Sequence, residues 1–365
     1  MQIKHLYVDQ QVAELSATIQ FIQRIGLKPE ILSDTGALYD AVKSDPDPWG
    51  KAKQTLLLTR NKGAFIKSCP GTKTYTCCDY EILHIGTYCT MDCAYCILQS
   101  YFHPPVLQYF VNHDDLMGEL DLVLQEPKIR RIGTGEYTDS LIWERWSGLT
   151  HDLVLRFALQ SHSVLEIKTK TTDIGQLKNL RHNRKTIVSW SLNTPAIIAG
   201  QERGTASLDA RIRAAVQCQS WGYPLAFHFD PMVIYPGCEE QYRKVLETLF
   251  KNISADSVVW ISLGTFRYMP ALKSVIEKRF SDSNIIYGEF IPGLDGKMRY
   301  FKPLRIRLYR AMVEWIHELA PGTTAYLCME DDQVWTRSVG FSPDAKGGLA
   351  AMLDDSARHH CGLSL

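Results

Sequence analysis

The chain has 365 residues, 45% of them hydrophobic, with 40 basic and 40 acidic side chains balancing to zero net charge. This is the composition of a globular protein with a large core, and it carries no global signal for a nucleic-acid partner, which would need a local patch. The start Met1-Gln-Ile-Lys-His does not read as a signal peptide, no apolar run reaches membrane-spanning length, and ten cysteines without an export signal point to reduced thiols, metal ligation and a cytoplasmic location.

Residues 11–26 have helical periodicity and stop at Gly26, a plausible C-cap. Residues 27–60 read as a small α/β lead-in with a turn at Pro46-Asp-Pro-Trp-Gly. Residues 61–78, with Cys69-Pro-Gly and Cys77-Cys78, read as a loop. Tyr80–Gly86 is the first core strand, and Ile97–Tyr101 opens a helix.

Between them lies Gly86-Thr-Tyr-Cys-Thr-Met-Asp-Cys-Ala-Tyr-Cys, a C-x3-C-x2-C run of Cys89, Cys93 and Cys96. Three thiolates on one tight loop can hold three irons of a cubane [4Fe–4S] cluster and leave the fourth iron open to a small molecule. A zinc site would want a fourth ligand. Cys77 and Cys78 lie upstream and are the available ones, but adjacent cysteines are poor joint ligands for one ion.

Further strands are expected at Arg131–Thr134, Val164–Thr169, Thr186–Leu192, Leu225–Phe229 and Val258–Leu263. Helices are expected at Asp114–Leu124, Ile142–Leu159, Asp209–Trp221 and Glu239–Phe250. With the first strand this makes six β/α repeats, an α/β chain whose parallel sheet curls into a partial (β/α)6, TIM-like barrel with chemistry at the strands' C-terminal ends. A hairpin is expected within 284–302, a helix at Leu304–Leu319 and a strand at Thr324–Met329, and the polar end from Ala357 reads as frayed. The resulting division is 1–78 as lead-in and cysteine loop, 79–270 as barrel, and 271–365 as C-terminal extension. Two basic stretches stand out. Lys178–Lys185 reads as a solvated face, and Lys297–Arg310, with Tyr300, Phe301 and Tyr309 interleaved, suits phosphate contact and base stacking.

The cysteine loop between strand and helix resembles that of the radical S-adenosylmethionine superfamily. There the cofactor's amine and carboxylate chelate the open iron, and the reduced cluster cleaves the sulfonium to a 5′-deoxyadenosyl radical. The stretch from Arg181 to Gly222, with Ser189-Trp-Ser-Leu-Asn193 and Gly204-Thr-Ala-Ser-Leu-Asp209, resembles the spore photoproduct lyase family more closely, together with Lys170 and Glu239-Glu240-Gln-Tyr. That family repairs the methylene-bridged thymine dimer of ultraviolet-damaged DNA.

The resemblance implies Cys89, Cys93 and Cys96 as cluster ligands and Tyr95 as the tyrosine that relays the radical. It implies Lys170, Ser191 and Asn193 as cofactor contacts, with Glu136 of Gly135-Glu136 facing the cofactor amine. Arg299-Tyr300 resembles a hairpin pair that props open and contacts the lesion. A [4Fe–4S] cluster, S-adenosylmethionine, damaged DNA, a ferredoxin or flavodoxin donor and a monomeric state follow from it. Two departures stand against the pattern. The stretch Gly133-Thr-Gly-Glu-Tyr-Thr-Asp-Ser140 lacks the usual hydrogen-donor cysteine, and Ile97 replaces a second tyrosine. One of Cys69, Cys77 and Cys78, with Cys77 and Cys78 foremost, or Tyr137 is the expected replacement donor. The missing cysteine equally suits a relative with another substrate, and a non-catalytic iron–sulfur or zinc protein that binds nucleic acid is the third reading.

Overall fold

The computed structural model describes residues 2–71 and 74–364. Its main sheet carries seven parallel strands in chain order: β1 (Glu81–Leu83), β2 (Arg130–Gly133), β3 (Ser163–Thr169), β4 (Thr186–Ser191), β5 (Leu225–Met232), β6 (Val258–Thr265) and β7 (Ala325–Leu327). Ile66–Ser68 adds an antiparallel edge beside β1. The expected alternation is present, and Thr324–Met329 supplies the seventh strand. Every residue of β4 and β6 is buried, as sheets covered on both faces require, which explains their continuous β-branched and aromatic runs.

The sheet is open: β1 and β7 are not hydrogen-bonded to each other. The described residues between Cys69 and Cys78 link the two edges. The Thr76 amide donates to the Glu330 carbonyl just past β7 at 3.1 Å, and the Cys69 amide donates to the Tyr80 carbonyl just before β1 at 2.8 Å.

The lead-in forms its own sheet from Pro29–Leu32, His5–Asp9 and Thr55–Thr59. That sheet continues into Leu107–Phe110 and Gly86–Thr87, so its pairing runs past residue 78 into the barrel region.

Three local expectations are corrected. The helix expected over Ile142–Leu159 is two short helices, Glu144–Ser147 and Leu149–Phe157, because Gly148 turns left-handed at φ 72° between them. The first helix starts only at Ser16, after a 3₁₀ turn. The C-terminal end is not frayed: Leu349–Cys361 is a helix, and the Lys185 ammonium donates to the Cys361 and Gly362 carbonyls at 2.6 and 2.9 Å. No helix among the described residues is long and apolar enough to cross a membrane.

Candidate active site

At the C-terminal ends of the strands lies a cleft of about 730 Å³, with Cys89, Cys93 and Cys96 on its wall. Their loop is clamped from three sides. Buried Lys53 of the lead-in donates to the carbonyls of Cys89 (2.6 Å) and Met91, and its ammonium sits 3.9 Å over the Tyr88 ring. Arg279 grips Asp92 through two bonds of 2.9 and 3.0 Å. Asp92–Cys93 also pairs as a short antiparallel strand with Glu202–Arg203. Burial pushes the Cys89 thiol up to about 12 and holds Cys93 well above its ordinary value, so these thiols shed their protons only to a metal that supplies positive charge. Among the described residues no three such side chains converge to ligate a single ion. Thiolates are soft ligands that suit iron–sulfur clusters.

Tyr95, between the second and third cysteines, is buried and donates its phenol hydrogen to Glu202. Glu202 is ion-paired with Arg211, which is fully buried and also donates to Ser191 O (2.8 Å), Ala206 O (2.9 Å) and Thr205 Oγ1 (2.7 Å). Burial disfavours the Glu202 carboxylate, but Arg211 and Lys170 outweigh it and hold the group below its usual range. The Lys170 ammonium lies 6.0 Å from the Tyr95 ring centroid.

Lys170 and Ser191 line the cleft, as expected. Asn193 does not. Its Oδ1 accepts from Tyr242 (2.9 Å) and the Thr194 amide (3.0 Å), and its Nδ2 donates to Pro231 O (2.8 Å). Its side-chain oxygen and nitrogen both bond inside the protein, so it buttresses the end of β4.

Glu136 lines the cleft and is ion-paired with Lys168. The loop that carries it packs tightly on β3: a Cβ at Gly135 would stand 2.8 Å from the Lys168 Cβ and 2.9 Å from its carbonyl. Gly133 is equally constrained, since a Cβ there would fall 1.7 Å from the Tyr80 hydroxyl. Behind Lys168, Glu166 bonds His228 at 2.6 Å. Burial opposes ionisation of Glu166, yet His228 and Lys168 bring it down to about 2. Asp139 is also buried against the cleft and accepts from the Lys170 amide at 2.8 Å. Glu166, Lys168, Glu202 and Asp139 were not singled out in the sequence. A charged residue inside an otherwise apolar strand was the only available signal, and it applied to Glu166 and Lys168.

A sequence profile for spore photoproduct lyase matches residues 42–290, more than half of the chain. The chain belongs to the spore photoproduct lyase family. Among curated relatives, the spore photoproduct lyase of Clostridium acetobutylicum is 24% identical over 263 residues, spanning 71% of this chain and 74% of that one. The Bacillus subtilis spore photoproduct lyase is 28% identical over 251 residues, spanning 67% and 71%. Two solved structures share the fold at 21% identity, each covering 89% of this chain and 99% of theirs. One is a spore photoproduct lyase complexed with dinucleoside spore photoproduct, with a TM-score of 0.79. The other is a variant with bound S-adenosylmethionine and dinucleoside spore photoproduct, at 0.78.

In this family member the cleft wall from Gly135 to Asp139 carries no thiol, but four other cysteines line the cleft: Cys69, Cys77, Cys78 and Cys328. The bridging loop brings the first three to the end of β7, where Cys328 sits. The neighbouring Cys78 lowers the exposed Cys77 thiol to about 6. Tyr137 also lines the cleft, its ring 4.7 Å from His84 and stacked on Tyr101 at 6.2 Å.

The hairpin pair is not on the cleft wall. Arg299 is buried, bonded to Asp295 (2.7 Å) and Met329 O (2.9 Å), and packs 4.1 Å over the Tyr75 ring. Tyr300 is buried, and its hydroxyl accepts from the Ile234 amide at 3.2 Å. Asp295 and Lys297 of the same hairpin reach the cleft instead. The basic stretch is largely spent on intramolecular pairs: Lys302 with Asp331, Arg305 with Glu330, and Arg307 with Glu239.

Proposed function

We propose that this chain is a radical S-adenosylmethionine lyase that reverses the methylene-bridged thymine dimer in DNA. The observation that carries the reading is the clamped cysteine triplet at the head of a 730 Å³ cleft, in a chain of the spore photoproduct lyase family. Cys89, Cys93 and Cys96 would hold a [4Fe–4S] cluster, which with S-adenosylmethionine supplies a 5′-deoxyadenosyl radical.

The chain's own residues do the rest. Glu136 and Lys170 offer opposite charges to the ammonium and carboxylate of the cofactor's methionine, where charge-assisted bonds in a dry cleft are strong. Ser191 adds a polar contact, and Asn193 fixes the strand end beneath it. Tyr95 relays a hydrogen atom, with Glu202 holding the phenol proton at its carboxylate. Lys297 meets the lesion's phosphate at the mouth, and Arg299 and Tyr300 set the position of the hairpin that carries it. The hydrogen that quenches the product comes from the thiol group at the cleft mouth or from Tyr137.

The dimer is extruded from the duplex before it can enter, as enzymes acting on bases require. A ferredoxin or flavodoxin delivers the electron to a monomeric, cytoplasmic enzyme. The ten cysteines, all unpaired, support a reducing compartment.

The test is anaerobic. Reconstituted, reduced enzyme is incubated with S-adenosylmethionine and a dinucleotide spore photoproduct, and products are followed by mass spectrometry. Thymidylyl-thymidine is the expected product. Release of 5′-deoxyadenosine without repaired thymine would overturn the substrate assignment and leave the cofactor chemistry standing.

A further inference from the structure

We infer that Cys328, the residue that follows the last barrel strand, donates the quenching hydrogen atom in this chain; the inference rests on the function proposed above. A hydrogen donor needs an intact S–H, an open path to the substrate cavity and a fixed position.

Four thiols outside the cluster triplet share the cleft, and their surroundings separate them. Cys77 is exposed, and its neighbour Cys78 lowers its thiol, so it holds its hydrogen less firmly at neutral pH. Cys78 packs partly against the core and has its carbonyl tied by Arg131 at 2.6 Å. Cys69 keeps its proton and has its amide held by the Tyr80 carbonyl at 2.8 Å, but it lies at the antiparallel edge of the sheet rather than at the C-terminal end of a parallel strand.

Cys328 directly follows Leu327 of β7, and its amide donates to the Leu263 carbonyl of β6 at 2.8 Å. Its sulfur faces the cleft beside the Asp230–Arg267 ion pair, with Arg267 Nη2 at 3.5 Å. Burial and the Asp230 carboxylate push its thiol up to about 12 against the opposing pull of Arg267, and this favours the protonated form at neutral pH. Glu136, on the loop that lacks the usual cysteine, is near enough to add to that effect. Cys328 and the β2 loop thus line one cleft.

The step balances without an outside reductant. The S–H bond of Cys328 breaks homolytically, and a C–H bond forms on the methylene carbon of the thymine-derived radical, which becomes the thymine methyl group. The thiyl radical left on Cys328 would recover a hydrogen atom by way of Tyr95 from the methyl group of the 5′-deoxyadenosine made earlier in the same turnover, and the adenosyl radical so restored would rejoin methionine as S-adenosylmethionine and return its electron to the cluster.

A thiol hydrogen exchanges with solvent, which gives a readout other than rate. In deuterium oxide, wild-type enzyme should place one deuterium in the repaired thymine methyl. Cys328→Ser keeps the size of the side chain but offers only a strong O–H bond. It should bind the dinucleotide with unchanged affinity, still release 5′-deoxyadenosine, and lose the deuterated product in favour of side products. Clean deuterated product from Cys328→Ser overturns the assignment. So does loss of the label in Cys69→Ser, Cys77→Ala/Cys78→Ala or Tyr137→Phe with retention in Cys328→Ser, which would place the donor there. An unlabelled wild-type product excludes every exchangeable donor. Absence of any thymidylyl-thymidine from wild type overturns the function itself, a result distinct from failure of the donor alone.

Discussion

The pair Glu202–Arg211 behind Tyr95 allows a quantitative prediction. Arg211 is 0% exposed and Glu202 4%. Replacing Glu202 by Gln keeps an acceptor for Tyr95 but leaves a buried guanidinium without its counter-charge, which costs about 3–5 kcal/mol. Replacing Arg211 by Met strands the carboxylate and also removes donors from the Ser191 and Ala206 carbonyls, at ~1 kcal/mol each. Arg211→Met is therefore the more damaging single change.

The double variant buries neither unpaired charge, so it should cost about 2–3 kcal/mol less than the sum of the singles, as contacting partners in one network do. Urea unfolding of the four proteins measures this, provided the slopes agree. Additivity within about 0.5 kcal/mol would mean the two groups do not depend on each other, and would refute the account of how Tyr95 is held.

Tyr95→Phe removes the hydroxyl that Glu202 holds, and should raise the ratio of 5′-deoxyadenosine released to dimer repaired; an unchanged ratio would deny Tyr95 a relay role. Glu166 in the folded protein sits at about 2 rather than its ordinary 4.5, so its stabilisation is fully present above 4.5 and lost as pH falls through 2. That difference is worth about 3 kcal/mol, and Glu166→Gln should flatten the acid limb of the stability profile. Gly133→Ala drives a methyl into Tyr80 and should destabilise by about 1–3 kcal/mol. Gly118→Ala, in the helix His113–Gln125 with nothing within 4 Å, should stabilise by about 0.5–1 kcal/mol, and thermal unfolding distinguishes the two signs.

The barrel and the cysteine loop were legible because their signals are local. Buried strands print continuous apolar runs, and three thiols within eight residues need no partner from elsewhere. The supports of the site were not legible for the opposite reason. Asp92 is held by Arg279, 187 residues away, and Glu166 by His228, 62 residues away, and no local pattern chooses such partners. The stretch Lys297–Arg310 misled in the same way. A run of arginines and aromatics has one composition whether it faces phosphate or, as here, finds Asp295, Glu330, Asp331 and Glu239. Asn193 is correctly placed at the end of β4, but only the positions of Tyr242 and Pro231 reveal that its amide is already committed. The split at Gly148 was missed because a glycine inside a helical pattern is tolerated often enough to pass.

The lead-in sheet has a bearing on how this catalyst can be inherited or engineered. Lys53 crosses to the carbonyls of Cys89 and Met91, and Thr55–Thr59 shares its ladder with Leu107–Phe110. The cysteine loop is thus anchored by residues laid down before it in the chain. A fragment beginning at β1 would lack the ammonium under that loop and expose an unpaired edge. The barrel is not a cassette that can be cut out and fused elsewhere; the first eighty residues travel with it.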